Sequence, residues 1–423
     1  MAKLFLPLIG FLLIALPGWS QTACRSFEYR LQQLHAHPAL VSAVADIEQF
    51  TRKQLKPATV GVAGTVPASR LPAVITIPVV VHVLYNTNDQ NISDAQIESQ
   101  IAVLNNDYQK LNPDTAQIPW YYASRAADCG FHFILAGLDT NGNVTTGIVR
   151  KHTSVLSFGM NDAMKSGATG GDDPWDRDRY LNIWVCNLQA DVLGYSSIVG
   201  GSRAVDGVAV LYSAFGTTGT ARAPYNRGRT CTHEVGHWLN LIHVWGDADC
   251  GDDDVADTPP QSQATYGDPS GIVLSCSNTP YGNMYMNYMD FTDDIGMHMF
   301  TSGQRDRMRT LFLPGGFRYA LLSSPAAFAP AGEPETAQAG SGASLLVPSL
   351  YPNPASSYIS VTLKDASQIG GLLEVYDQMG RIVMTTRVTQ INFQLNVSGL
   401  AGGLYFMRLA NGGGQETSKF VKL

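Results

Sequence analysis

Hydrophobic and polar positions divide the chain into stretches of different character. The first twenty residues, MAKLFLPLIGFLLIALPGWS, carry one lysine and then an apolar core ending in small residues, the pattern of a secretory signal at 1–20. Residues 21–70 turn to helix-like, charged text, CRSFEYRLQQL through IEQFTRKQL, closed by the loose GVAGTVPASR. After residue 71, ITIPVVVHVLYN is a β-branched run that predicts a buried strand. Ser93 and Gln96 then open a helix as a capping box, with Ile97, Ile101, Leu104 and Tyr108 on one face. Further strands are predicted at FHFILAGL, YLNIWVCNL and GVAVLY, and Thr301 with Gln304 caps a last helix holding Met308, Leu311 and Phe312.

Residues 323–348 are rich in Ala, Pro, Gly and Ser without an apolar period, which predicts a flexible linker. From 349 to 423, short alternating runs such as YISVTL, LLEVYD, RIVMTT and LYFMRL are separated by turn residues, the pattern of a small antiparallel β-sandwich. The expected fold class is α+β. The net charge of -7 argues against nucleic acid as a partner. Pro7 and Pro17 interrupt an apolar run already short for a bilayer, so no stable membrane span is expected. We expect an exported monomer. Its six cysteines make disulfides the default in that setting.

The chemistry concentrates in THEVGHWLNLIHVWGD, Thr232 to Asp247, which holds three of the nine histidines. His233 and His237 lie four apart and share one helical face. Glu234 falls about 100° round the helix, better placed to touch a water on a metal than the metal itself. His243 would lie about 240° round and about 9 Å along an unbroken helix, so the chain must turn first. Asn240 tolerates the left-handed conformation that ends a helix. Three imidazoles then leave one corner of a tetrahedral zinc open, where water acidified by the metal meets Glu234 as general base.

HEVGHWLNLIH resembles the extended zinc signature of the metzincin metallopeptidases, and Asn240 followed by WGD resembles their pappalysin (cytophagalysin) branch. Downstream, MNYMDFTDD resembles that branch's Met-turn, which would set Met289 beneath the metal. The resemblance spans roughly 71–322 and implies a metzincin-like catalytic domain that hydrolyses peptide bonds. Relatives commonly carry a tyrosine two residues after the Met-turn methionine, where this chain has Phe291; Tyr288 is a candidate substitute. Residues 21–70 are then expected to be a propeptide removed by a cut near Arg70, and the chain a zymogen.

Six aspartates between Asp247 and Asp257 repel one another, and a calcium ion would relieve them. The same resemblance implies structural calcium in this loop, for which Asp254, Asp257 and Thr258 are the candidate ligands. Cys250 and Cys276 bracket the loop and are expected to pair. Cys186 and Cys231 would pin the zinc helix to the sheet if joined. Cys24 and Cys129 remain: either they pair, or Cys24 ligates the zinc and keeps the enzyme latent.

Finally, YPNPASSYISV and GLYFMRLANGGGQETSKFVKL resemble the C-terminal sorting domain of type IX secretion substrates. That implies export across the outer membrane and the secretion machinery as a partner. The expectation is a secreted zinc endopeptidase acting on protein or peptide substrates. Its rivals are a catalytically silent surface adhesion protein on the same fold and a metal hydrolase of non-peptide bonds.

Overall fold

The computed structural model describes residues 23–55, 71–72 and 74–327, and then 349–351, 355, 357–362, 371–377, 381–388, 390, 392–411 and 414–423. The signal-like leader, the GVAGTVPASR stretch with the cut expected near Arg70, and most of the linker lie outside these residues. The described residues fall into two units, drawn from 1–133 with 149–322 and from 134–148 with 323–423.

The first unit is built on a seven-stranded sheet of order β1-β6-β7-β5-β2-β3, with β4 also on β2. β2 (Ile75–Tyr85) is almost wholly buried and β5 (Leu181–Cys186) entirely so. Parallel strands covered on both faces need apolar residues at every position, which explains these two uninterrupted runs. β5 pairs in parallel with β2 and with β7 (Val208–Leu211). β6 (Val192–Ser196) runs antiparallel to β7, and its other edge takes β1 (Ala23–Cys24) in parallel. β3 (Phe131–Leu135) and β4 (Ile148–His152) complete the sheet.

α3 (Asp94–Tyr108) begins at Ser93, whose hydroxyl accepts from the Gln96 amide. The return half of the expected capping box is not made. The Gln96 side chain instead donates to the Phe215 carbonyl at 2.8 Å and accepts from the Thr220 amide at 3.0 Å. A long-range pair of loop contacts has displaced the local one, and α3 is thereby stitched to the segment leading into α4 (Arg229–Trp238). α5 (Ser302–Thr310) makes both halves of its box through Thr301 and Gln304.

The early residues form α1 (Ser26–Ala36) and α2 (Ala39–Leu55). α2 is tied to α5 by Glu48, which accepts from both guanidinium nitrogens of Arg307 at 2.9 and 2.6 Å. Between α4 and α5 the chain is irregular apart from β8 (Tyr266–Gly267) beside β9 (Phe291–Thr292) and a 3-10 turn at Asp294–Gly296.

In the second unit two antiparallel sheets form. One is β10 (Ser349–Tyr351), β11 (Tyr358–Thr362) and β14 (Asn392–Asn396); the other orders β13 (Ile382–Arg387), β12 (Leu372–Tyr376), β15 (Gly403–Asn411) and β16 (Gly414–Lys422). Ile359, Val361, Leu373, Val375, Met407 and Phe420 share one buried core, the inward half of each alternating run.

Candidate metal centre

α4 presents His233 and His237 on one face and ends at Trp238, after which Asn240 takes φ +72°. That left-handed residue reverses the chain and brings His243 back. The three Nε2 atoms meet: His237 lies 3.0 Å from His233 and 3.1 Å from His243. Each Nδ1 has its own partner, the Tyr288 carbonyl for His233 at 2.6 Å, the Leu241 carbonyl for His237 at 2.9 Å, and the Asp247 carboxylate for His243. Carbonyls and carboxylates accept, so each Nδ1 carries the proton and each Nε2 carries a bare lone pair. Three lone pairs cannot hydrogen-bond to one another. A tetrahedral zinc with Zn–N bonds of about 2.0–2.1 Å separates its nitrogens by roughly 3.3 Å, which this set approaches. Burial holds His233 down at about 3 and His237 well below its usual value, with His243 adding to both. Neutral imidazoles are what a metal requires.

A sulfur stands within reach of the same point. Cys24 Sγ and the three Nε2 atoms all lie within 4.8 Å of one another. β1 places it there, with Cys24 opposite Gly194 in the ladder. Burial, then the neighbouring Glu234 carboxylate, push the Cys24 thiol well up; a cation held by the imidazoles opposes both effects. Two residues on, Ser26 Oγ donates to Glu234 Oε2 at 2.8 Å and accepts from the Ser196 amide at 2.8 Å. Glu234 is fully buried and burial raises it to about 8, while its Oε1 has no partner. A pocket opens beside His233 and Glu234, lined by Leu193, Tyr225, Thr230, Met297 and Asp294.

Met289 lies under the helix: a Cβ added at Gly236 would stand 2.5 Å from its sulfur. The peptide just before it orients His233 through the Tyr288 carbonyl. The Tyr288 hydroxyl points elsewhere, accepting from Arg229 at 2.6 Å in a buried cluster with Asp107 and Asp114. Tyr288 is therefore not the substitute for the missing tyrosine. Phe291 packs its ring 4.8 Å from that of His243.

The remaining cysteines and aspartates divide sharply. Cys250 and Cys276 form a disulfide. Cys186 and Cys231 remain free thiols, which corrects the pairing expected between them. Cys186 lies in the apolar cluster of Trp184, Tyr195 and Tyr29, whereas Cys231 faces Glu234 and Asp107. Cys24 and Cys129 do not pair either. The calcium candidates do not converge. Asp254 is held by Arg52 at 2.8 Å, Asp257 accepts from Thr301 and Gly303, and Thr258 donates to Asp253 at 2.7 Å.

Sequence reasoning missed Asp247 as the partner of His243, although its spacing four residues on was a readable signal. It missed Ser26 and β6 as well. Nothing local marks either.

Comparison with known proteins gives two domain matches. Residues 169–312 match the family described as pregnancy-associated plasma protein-A, and residues 349–423 match the secretion system C-terminal sorting domain. An extracellular metalloprotease of Arthroderma otae is 34% identical over 253 residues, 58% of this chain and 80% of the relative. One from Pyricularia oryzae is 31% identical, over 59% of this chain and 78% of the relative. Among solved structures, mirolysin in complex with compound 9 is 47% identical with a TM-score of 0.59, covering 62% of this chain and 99% of its own. A Tannerella forsythia promirolysin mutant is 41% identical with a TM-score of 0.65, covering 74% and 100%. No helix among the described residues is long and apolar enough to cross a membrane.

Proposed function

Because the chain belongs to the pappalysin family of metallopeptidases and ends in a type IX secretion sorting domain, we propose the following division of labour among its residues. The protein is a secreted zinc metalloendopeptidase. His233, His237 and His243 would hold the catalytic zinc through Nε2, and the ion would supply Lewis acidity to a water and to the peptide carbonyl. Glu234 takes the proton from the attacking water at its carboxylate and delivers it to the leaving amine. Leu193, Tyr225 and Met297 shield the pocket beside that carboxylate and receive a substrate side chain. The Tyr288 and Leu241 carbonyls and Asp247 fix the imidazole tautomers. The convergence of three unprotonated Nε2 atoms next to Glu234 carries this reading.

Residues 21–70 act as a prosegment on a 71–322 catalytic domain, after a signal at 1–20 and before a linker at 323–348. Cys24 would add its sulfur to a zinc held by the three imidazoles and Ser26 occupies the base, so the full chain is silent until both leave. Any calcium in the Asp247–Asp257 loop enters only after Arg52 departs, because its guanidinium neutralises Asp254 in the full chain.

The test is hydrolysis of casein or gelatin by the secreted form, with and without chelator, beside Glu234→Ala. Chelation and the substitution should each abolish cleavage. Proteolysis by the Glu234→Ala protein would refute the assignment. The adhesion alternative finds no support among the fungal relatives and mirolysin, which are metalloproteases.

A further inference from the structure

Five residues beyond the zinc-facing cysteine, Tyr29 enters a polar and aromatic cradle that the reaction does not use. Its side chain is buried, and its hydroxyl donates to Asp162 Oδ2 at 2.6 Å. The other carboxylate oxygen is already engaged: Asp162 Oδ1 receives the Tyr195 hydroxyl at 3.2 Å and the Lys165 ammonium at 2.9 Å. Lys165 has a fully buried side chain and donates also to the Val205 carbonyl at 2.9 Å. Its ammonium lies 5.5, 5.4 and 4.9 Å from the ring centroids of Tyr29, Trp184 and Tyr195.

We propose that this cradle of Asp162, Lys165, Trp184 and Tyr195 is a binding site for a phenolic side chain, filled by Tyr29 in the full chain and taken by a tyrosine of the peptide substrate in the active enzyme. The proposal rests on the proposed departure of residues 21–70 on activation.

Three features select a phenol. Asp162 Oδ2 needs a donor, so a phenyl ring would leave a charged oxygen unsatisfied. An anionic side chain would face the same carboxylate. The Lys165 ammonium needs an aromatic face on its open side, because without one a buried cation loses a partner that water replaces poorly in so confined a place. The cradle is also braced from behind: the Trp184 indole donates to the Asp172 carbonyl at 3.0 Å and Tyr195 sits within β6.

Position ties the cradle to the cleft. Tyr195 lies between Gly194, opposite Cys24, and Ser196, whose amide holds Ser26 above Glu234. Gly194 faces Glu234, so the Tyr195 ring points to the other face of β6; a peptide lying along β6 alternates its side chains between these faces, and one on the Tyr195 face comes to the cradle within about four residues of a scissile bond at Glu234, at roughly 3.3 Å per residue. A cavity of about 630 Å³ lies alongside, walled on one side by Tyr29, Gln33 and Leu40 and on the other by Asp162, Ile198 and Gly200, so departure of residues 21–70 opens the cradle on that side.

The experiment uses the secreted, activated enzyme and a peptide library randomised on both sides of a cleaved bond. Tyrosine should be enriched at one position within four residues of the bond, and replacing it there by phenylalanine should lower kcat/KM by on the order of tenfold. In the Asp162→Ala enzyme the tyrosine-to-phenylalanine ratio should fall to near one. A wild-type ratio near one at every position overturns the cradle while leaving the zinc assignment intact, and needs no variant that must fold. Absence of cleavage of any peptide would overturn both readings, and chelator-sensitive casein hydrolysis tells the two failures apart.

Discussion

Asp247 is the one charged group that orients a zinc-facing imidazole, and its removal tests the centre without touching a ligand. The other two imidazoles lean on neutral carbonyls, whereas His243 donates to a carboxylate only 8% exposed. Screening at that depth is slight. A hydrogen bond to a charged acceptor contributes about 1.5–3 kcal/mol, and without it the His243 proton is free to move to Nε2, where it would face the ion. Asp247→Ala should therefore weaken zinc binding by roughly 10–100-fold, the range typical for partners that orient a ligand. Asp247→Asn keeps an acceptor and should lose less. The assay is competition between the full-length protein and a chromophoric chelator, with circular dichroism to confirm that the variant is folded. A zinc Kd within about twofold of wild type, in folded Asp247→Ala protein, would refute the argument that the tautomer is held by this carboxylate.

Two further outcomes follow from named contacts. Glu48→Gln removes the charge that α2 offers to Arg307 and should loosen the proposed prosegment by about 1–2 kcal/mol, raising peptide hydrolysis by the uncut chain roughly 5–30-fold; equal hydrolysis by variant and wild type would count against that hold. Asn240→Val forces a β-branched residue into φ +72° and should cost about 1–2 kcal/mol. Asn240→Gly should be nearly neutral, since the buried Asn240 amide nitrogen has no partner to lose. Equal melting temperatures for the Val and Gly proteins would remove the claim that this turn is strained.

The centre was legible because its chemistry is local. A spacing of four on a helix, then an Asn, states the geometry almost alone, and β2 and β5 announce themselves as unbroken apolar runs. What stayed hidden depends on distant partners. VLGYS has too little pattern to mark β6, whose occupant arrives from residues 23–26. Gln96 carries a capping signature, yet its side chain answers to a loop more than a hundred residues on. Cys186 on β5 and Cys231 on α4 each adjoin β7, but their thiols stay free in different surroundings, one among aromatic rings and the other beside carboxylates. Asp254 takes Arg52 as its partner, a residue about two hundred positions away that its acidic neighbours in the sequence do not announce.

Without β1, β6 would be the margin of its sheet, and margins with unpaired amides invite any extended chain to add itself. Here β1 closes that seam. A secreted hydrolase thus carries that border already paired with residues 23–24 of its own chain. On the proposed release, the same row of amides and carbonyls becomes a ruler against which a foreign peptide is laid and measured.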